Sequence, residues 1–102
     1  MTTFDKREEG FEKRFAHDEE LKFKATARRN RMMGAWAAEK LGLTGADAEA
    51  YAREVLLADA AGLFAKLRKD FDAKGVTQSD HQIQRTMDEL LAKAIEQLKT
   101  AG

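Results

Sequence analysis

Apolar residues near the end of the chain recur at intervals of three and four, the spacing of one face of an α-helix. Ser79 and Gln82 stand three residues apart in front of them. This is the spacing of a capping box, in which each side chain bonds the backbone N–H of the other residue. The pattern predicts an amphipathic helix over the last quarter of the chain. Its apolar face consists of Ile83, Met87, Leu90, Leu91, Ala94, Ile95 and Leu98.

A second helical pattern predicts a long helix from about Glu19 to Leu41. Asp18 stands where an N-cap would accept the first backbone N–H groups, and Gly42 stands where a helix commonly ends. One face of this helix is expected to join the core. That face contains Leu21, Ala25, Met32, Trp36 and Ala37.

Two shorter helices are predicted between these long ones. Thr44 and Asp47 form a cap-like pair at the start of the first, and we expect a break near Ala60 to Gly62 before the second, which ends at Gly75. The apolar positions of the first are Ala48, Tyr51, Ala52, Val55 and Leu56. Those of the second are Leu63, Phe64, Leu67 and Phe71.

Four amphipathic helices joined by short turns bury their apolar faces only against one another. The chain has 102 residues and no proline, so it suits one domain in which nothing interrupts a helix from inside. We therefore predict an all-α protein, a four-helix bundle over residues 19–102 preceded by a mobile N-terminal arm over residues 1–18.

The arm combines a dense mixture of charges with three aromatic rings. Phe4, Phe11 and Phe15 return to one stripe if the segment is helical. So narrow a stripe builds no core, and we expect the arm to be disordered or fraying in the free protein. Exposed rings favour aggregation unless another molecule buries them, so the pattern favours a binding segment over a solvated tail.

Composition narrows the chemistry that the chain can perform. There is no cysteine, which excludes disulfides, a thiol nucleophile and cysteine-based zinc sites. No apolar run approaches the roughly 20 residues that cross a bilayer, and no hydrophobic signal core is present, so we expect a cytoplasmic location. The formal net charge is zero, which argues against a dedicated nucleic-acid binder.

Candidate chemistry beyond the arm is sparse. Arg28, Arg29 and Arg31 form the densest basic cluster, which we interpret as a solvated helix face rather than an anion site. Arg28 is the exception, because it lies in line with the apolar face and would point partly inward, where it needs an acidic partner or an anionic ligand. His17 and His81 lack companions for a metal site and are expected at the surface. We predict no metal, no cofactor and no enzymatic activity.

Three stretches of the chain, “REEGFEKRF”, “DEELKFKATARRNRMMGAWAAEKLG” and “LRKDFDAKG”, together resemble the zeta subunit of the alphaproteobacterial F-type ATP synthase. The resemblance extends over essentially the whole chain. It implies a four-helix bundle whose N-terminal arm inhibits ATP hydrolysis. In that family the arm enters a catalytic interface between the large subunits, reaches toward the central rotor subunit and becomes helical as it docks.

Carried onto this sequence, the resemblance implies that the inserted segment is about Met1 to His17, with the three phenylalanines as anchors. Charged neighbours would set its register against the partner. The basic ones are Lys6, Arg7, Lys13 and Arg14, and the acidic ones are Glu8, Glu9 and Glu12. Binding of adenine nucleotides has also been considered for the family, and Arg28, Arg29 and Arg31 are the candidate contacts. The free protein would be a cytoplasmic monomer that becomes peripheral to the inner membrane when bound to the synthase.

Two other functions remain open from the sequence. A small helical enzyme of the chorismate-mutase type also builds its site from arginines and acids inside a bundle, but it needs several convergent cations. A generic protein-binding or nucleic-acid-binding module would use the “RRNR” segment, with the arm as a second contact.

Overall fold

The computed structural model of the chain describes residues 10–11 and 13–101. Over these residues the chain forms five helical segments. They are α1 (residues 10–11 and 13–17), α2 (Glu19–Lys40), α3 (Gly45–Glu54), α4 (Ala60–Lys74) and α5 (Asp80–Ala101). Helix α2 packs along both α3 and α5, and α5 also contacts α4. The predicted all-α bundle is confirmed.

The ends of α2 are those that the sequence predicts. The Asp18 carboxylate accepts the backbone N–H groups of Glu20 at 2.9 Å and Leu21 at 3.2 Å, which satisfies two of the donors left open at a helix start. Two residues beyond the other end, Gly42 adopts a φ of +77°. That left-handed conformation suits glycine, because it has no Cβ to clash.

The junction between α3 and α4 differs from the prediction. Helix α3 ends at Glu54, and the expected break near Ala60 to Gly62 lies instead over residues 55–59. Asp59 caps α4, with its carboxylate accepting the N–H of Gly62 at 2.7 Å, so the predicted break is the first helical turn. Thr44 is the N-cap residue of α3, but its hydroxyl makes no capping hydrogen bond.

The turn from α4 to α5 is held by local and side-chain bonds. Gly75 has a φ of +70° and ends α4 as predicted. The Ser79 N–H donates to the Gln82 side chain at 2.9 Å, and the Gln82 N–H donates to the Ser79 hydroxyl at 3.1 Å, so the predicted capping box is confirmed. The Arg68 guanidinium donates to the Gln78 carbonyl at 2.7 Å, which fixes the turn against α4.

The core lies where α2 meets the other helices of the bundle. Gly34 permits a close approach of α3, because a Cβ built there would stand 2.6 Å from the Ala52 Cα. The Trp36 ring meets Phe71 edge-on, with centroids 5.7 Å apart, the preferred geometry for aromatic pairs. The buried apolar cluster consists of Met33, Ala37, Ala38, Tyr51, Val55, Leu63, Leu67, Phe71, Ile83 and Met87.

The buried face of α2 is displaced from the predicted one. Leu21, Ala25 and Ala37 are buried as expected, but Met32 and Trp36 are only half-buried, and Met33 is fully buried instead. Since α2 packs against two helices, α3 and α5, the covered face is broader than a single stripe. None of the helices in the part of the chain that the structure describes is long and apolar enough to cross a membrane.

Candidate functional site

Two rings of the predicted arm form an aromatic stripe on α1. The centroids of Phe11 and Phe15 are 6.3 Å apart and the ring planes are 22° from parallel, because residues four apart lie on the same face of a helix. Both side chains are half-buried. The helical spacing predicted for these two rings is therefore present before any partner is bound.

Phe11 of this stripe lies beside the last turns of α5. The Lys99 ammonium lies 5.8 Å from the centroid of the Phe11 ring, within range of a cation–π contact. The same ammonium is 3.6 Å from the Glu96 carboxylate, and the Lys99 side chain is 17% exposed. Sequence analysis did not identify Lys99, because no periodicity connects residues at opposite ends of a chain.

The remaining arm residues are only partly within the structure. Lys13 and Arg14 are exposed, as expected for side chains that would meet a partner. Six of the candidates lie outside the described residues, so their roles stay predictions. These are Phe4, Lys6, Arg7, Glu8, Glu9 and Glu12.

The three clustered arginines of α2 do not form one site. Arg28 is half-buried, and its Nη1 donates to the Gln97 side chain at 3.3 Å, so its partner is a neutral amide rather than the expected acid. Arg31 is exposed. Arg29 is buried, at 5% exposure, and the prediction of a solvated face is wrong at this position. Arg28 and Arg31 line one groove together with Lys24, and Arg29 does not reach it.

Arg29 and Asn30 instead form a buried polar pair that secures the α3–α4 junction. The Arg29 Nε donates to the Asn30 side-chain oxygen at 3.0 Å. Asn30 then donates to the backbone carbonyls of Leu56 at 2.9 Å and Ala58 at 2.7 Å. Burial lowers the pKa of the Arg29 guanidinium, and the negative charge of Asp88 partly opposes that effect. The pair thus fixes the fold.

A polar cluster joins α3 to α4 on another side of the molecule. The Tyr51 hydroxyl donates to Asp70 at 2.7 Å, and the Lys66 ammonium bridges Asp70 at 3.1 Å and Glu54 at 3.2 Å. Burial, followed by the hydrogen bond to Asp70, raises the pKa of the Tyr51 phenol. Sequence analysis placed Tyr51 on the core face but did not find its partners, which lie in the next helix.

An exposed apolar groove lies where the start of α2 meets the α3–α4 junction. Phe23 is 60% exposed and Leu57 75% exposed, and both line this groove of about 410 Å³. Its lining also includes apolar and polar residues, namely Ala27, Leu56, Ala58, Glu19, Lys22, Thr26 and Asp59. Neither Phe23 nor Leu57 was a predicted site residue. The available signal was that Phe23 is a ring on the otherwise charged face of a helix.

The comparison with known protein families decides the identity of the chain. Residues 1–97 match the family described as ATPase inhibitor subunit zeta. The chain belongs to the ATPase inhibitor subunit zeta family. The match spans both the arm and the bundle, and it confirms the resemblance seen in the sequence. A search of curated proteins finds no match.

The name of the zeta family implies an association with an ATP synthase. His17 and His81 are exposed, as predicted. No group of three or more metal-ligating side chains occurs within the described part of the chain.

Proposed function

We propose that this zeta-family chain inhibits ATP hydrolysis by the F-type ATP synthase by inserting its N-terminal arm, residues 1–18, into a catalytic subunit interface and blocking rotation. The observation that carries the proposal is the stacked pair of Phe11 and Phe15 on α1, set among charged residues and only half covered by the chain's own bundle. Family membership supplies the inhibitory role and the synthase as partner.

The aromatic stripe supplies the binding free energy for insertion. Full burial of a ring removes 150 Å² or more from water, worth about 4 kcal/mol at roughly 25 cal/mol per Å². Three rings together contribute on the order of 10 kcal/mol before ordering costs. Part of this gain is already realised for Phe11 and Phe15, which are half-buried in the free chain.

The helical state of α1 lowers the conformational entropy cost of ordering the arm when it inserts. Fixing the backbone of one residue costs roughly 1–2 kcal/mol, and residues 13–17 are already helical before binding. Charged side chains such as Lys13 and Arg14, which are exposed, then orient the helix against complementary groups of the large subunits and the rotor. Arm charges thus contribute orientation, while the rings contribute affinity.

Insertion requires the stripe to leave α5. Phe11 lies beneath the Lys99 ammonium in the free chain, and the same ring is proposed to be buried in the synthase. Binding therefore exchanges a partly solvated contact within the chain for a more complete one in the partner. The net gain is the difference between the two environments.

Replacement of both described rings tests the proposal. The Phe11→Ala, Phe15→Ala double variant is expected to raise the concentration that half-inhibits ATP hydrolysis by the cognate synthase by at least about 100-fold, because two anchors are lost. Hydrolysis is measured with a coupled ATPase assay. The circular dichroism of the variant should show a bundle as helical as the wild type.

Lys99→Ala is the matched control. It removes the cation–π contact of Phe11 with Lys99 but leaves both rings, so inhibition at wild-type concentration or below is expected. Wild-type potency of the double phenylalanine variant would show the proposal to be wrong. If Lys99→Ala lost as much inhibition as the double variant, the effect would come from packing within the chain. That result would also contradict the proposal.

A further inference from the structure

The two large apolar side chains that are exposed in the described part of the chain share one groove. Phe23 projects from α2 and Leu57 from the α3–α4 junction. Single exposed apolar residues are ordinary on protein surfaces, whereas two that meet across a groove form a contiguous apolar area. Their common position is the first indication of a docking surface.

A second groove continues this surface toward the end of α5. Its volume is about 230 Å³, and Phe23, Ala27 and Leu56 line both grooves. The second groove adds three cationic side chains from α2, those of Lys24, Arg28 and Arg31, together with Leu98 from α5. We call the combined surface the α2 patch. It consists of Phe23, Ala27, Arg28, Arg31, Leu56 and Leu57.

The cations of the α2 patch are not neutralised by neighbouring acids. Arg28 donates to the neutral amide of Gln97, and within the described residues neither Arg28 nor Arg31 has a carboxylate at ion-pair distance. The adjacent lysines differ, since Lys22 lies 3.6 Å from Glu19 and Lys24 lies 3.1 Å from Glu20. One end of the patch is therefore mainly apolar, although Glu19, Lys22 and Asp59 also line its groove, and the other end is positively charged.

The α2 patch lies directly beyond the arm. Asp18 is the one non-helical residue between α1 and α2, and Phe23 is four residues into α2, about 6 Å along its axis from Glu19 at 1.5 Å per residue. A partner that holds the arm must therefore stand beside the patch. The two surfaces are continuous along the chain.

We infer that the α2 patch is a second docking surface for the same ATP synthase that receives the arm. Its occupant is a surface segment of the synthase in which carboxylates lie next to exposed apolar side chains. The carboxylates pair with Arg28 and Arg31, and the apolar side chains fill the groove between Phe23 and Leu57. This inference rests on the function proposed above and extends it from the arm to the bundle.

Tethering makes such a contact effective although it is small. Once the arm is bound, the patch meets its occupant at an effective concentration in the millimolar range. A contact that is too weak to hold the bundle alone then slows dissociation of the whole chain. A second copy of the chain is a poorer occupant, because a stable dimer needs about 20–30 residues a side and the two grooves present fewer.

Two full-length double variants test the inference. Phe23→Ser, Leu57→Ser removes the apolar end, and Arg28→Gln, Arg31→Gln removes the charged end. Each is expected to dissociate from immobilised synthase about 10-fold faster than the wild type, as measured by biolayer interferometry, because one half of the tethered contact is lost. The arginine variant should also lose part of the salt dependence of binding.

The matched control is Lys69→Gln, Arg85→Gln, which removes two cations from exposed positions outside the α2 patch. Its dissociation rate is expected to stay within about twofold of the wild type. Melting temperatures of all variants should agree within a few degrees, since the replaced side chains are not part of the buried cluster.

Wild-type dissociation rates for both patch variants, together with loss of binding in Phe11→Ala, Phe15→Ala, would overturn the inference and leave the proposed function standing. Wild-type inhibition by the phenylalanine arm variant would instead overturn the proposed function.

Sedimentation of the free chain tests whether the patch binds a second copy of the chain instead. If it dimerises at about 100 μM and the Phe23→Ser, Leu57→Ser variant does not, the patch binds a second copy, and the inference is wrong.

Discussion

Asn30 illustrates how one buried polar residue determines a connection between two helices. It has no exposed surface, yet it donates to the carbonyls of Leu56 and Ala58 and accepts from Arg29. An asparagine inside a helix ordinarily weakens it, since its side chain competes for backbone bonds. Here the side chain satisfies backbone groups of another segment, which would otherwise be buried without partners.

Asn30→Ala is therefore expected to lower the free energy of unfolding by about 2–4 kcal/mol, because it leaves two carbonyls and one guanidinium N–H without their bonds. Urea denaturation followed by circular dichroism measures the change. Gln84→Ala is the control, since Gln84 donates to Asp88 at an exposed position and should change stability by under about 0.5 kcal/mol. Equal effects in the two variants would contradict the role assigned to Asn30.

Tyr51 allows a direct test of the α3–α4 cluster, because it is the only tyrosine in the chain. Its pKa is raised by burial and by the hydrogen bond to Asp70, so its phenolate absorbance should appear well above the ordinary midpoint of about pH 10. A raised folded-state pKa stabilises the fold fully below that ordinary value. The contribution is lost as the pH rises toward the folded-state pKa.

Spectrophotometric titration at alkaline pH measures this midpoint. Asp70→Asn should lower the midpoint, since it removes the charge that disfavours the phenolate, although the burial effect remains. Asp72→Asn serves as the control, because Asp72 pairs with Arg68 and makes no contact with Tyr51. An ordinary midpoint in the wild type, or equal shifts in both variants, would contradict the cluster.

At the scale of elements, the contact between α2 and α3 depends on the absence of a side chain at Gly34. A Cβ there would meet the Ala52 Cα at 2.6 Å and the Val55 Cγ2 at 3.0 Å. The first neighbour is backbone and has no rotamer by which to move aside. The two helices would have to separate, and the core beneath them would lose contacts.

Gly34→Ala is expected to destabilise the bundle by about 1–3 kcal/mol through this overpacking, despite the gain of up to about 1 kcal/mol in helix propensity. Gly10→Ala is the matched control. Gly10 is also helical, and a Cβ added to it would meet nothing within 4 Å, so stability should stay equal or increase. Thermal unfolding distinguishes the two, and an unchanged melting temperature for Gly34→Ala would contradict the close packing.

The sequence predicts where a helix begins or ends only when the contact that determines that boundary is local. Asp18, Gly75 and the Ser79–Gln82 pair each act within one turn of the helix boundary that they determine, so the start of α2, the end of α4 and the start of α5 were predicted. The α3–α4 junction was misplaced because its carbonyls bond Asn30, which is remote in sequence. Burial of Arg29 likewise depends on packing between helices. In the candidate site, the spacing of Phe11 and Phe15 was predictable from the sequence, whereas the contact of Phe11 with Lys99 was not.

For the whole molecule, the buried cluster defines which part of the chain folds by itself. Its members run from Met33 to Met87, so the arm contributes none of them. A chain that lacks residues 1–17 is expected to remain a folded bundle and to lose inhibition of ATP hydrolysis. Removing Asp18 as well should cost a further 0.5–2 kcal/mol, roughly the value of an N-cap.

Urea denaturation of the two truncated chains measures that difference, and the ATPase assay measures inhibition. The comparison separates the end of the arm from the start of the bundle at a single residue. Full inhibition by either truncated chain would show that the arm is not the inhibitory element, and an unfolded chain lacking residues 1–17 would show that the bundle depends on it.

The hydrogen bonds of Asn30 also have a consequence outside the bundle. They hold the backbone carbonyls of Leu56 and Ala58, the residues before and after Leu57, so this exposed leucine is carried by a backbone that is fixed from the core. The buried side-chain amide of Asn30 thus determines the position of Leu57 at the surface. Mutations that break the hydrogen bonds of Asn30 should weaken the binding of a partner at Leu57 even when the protein stays folded.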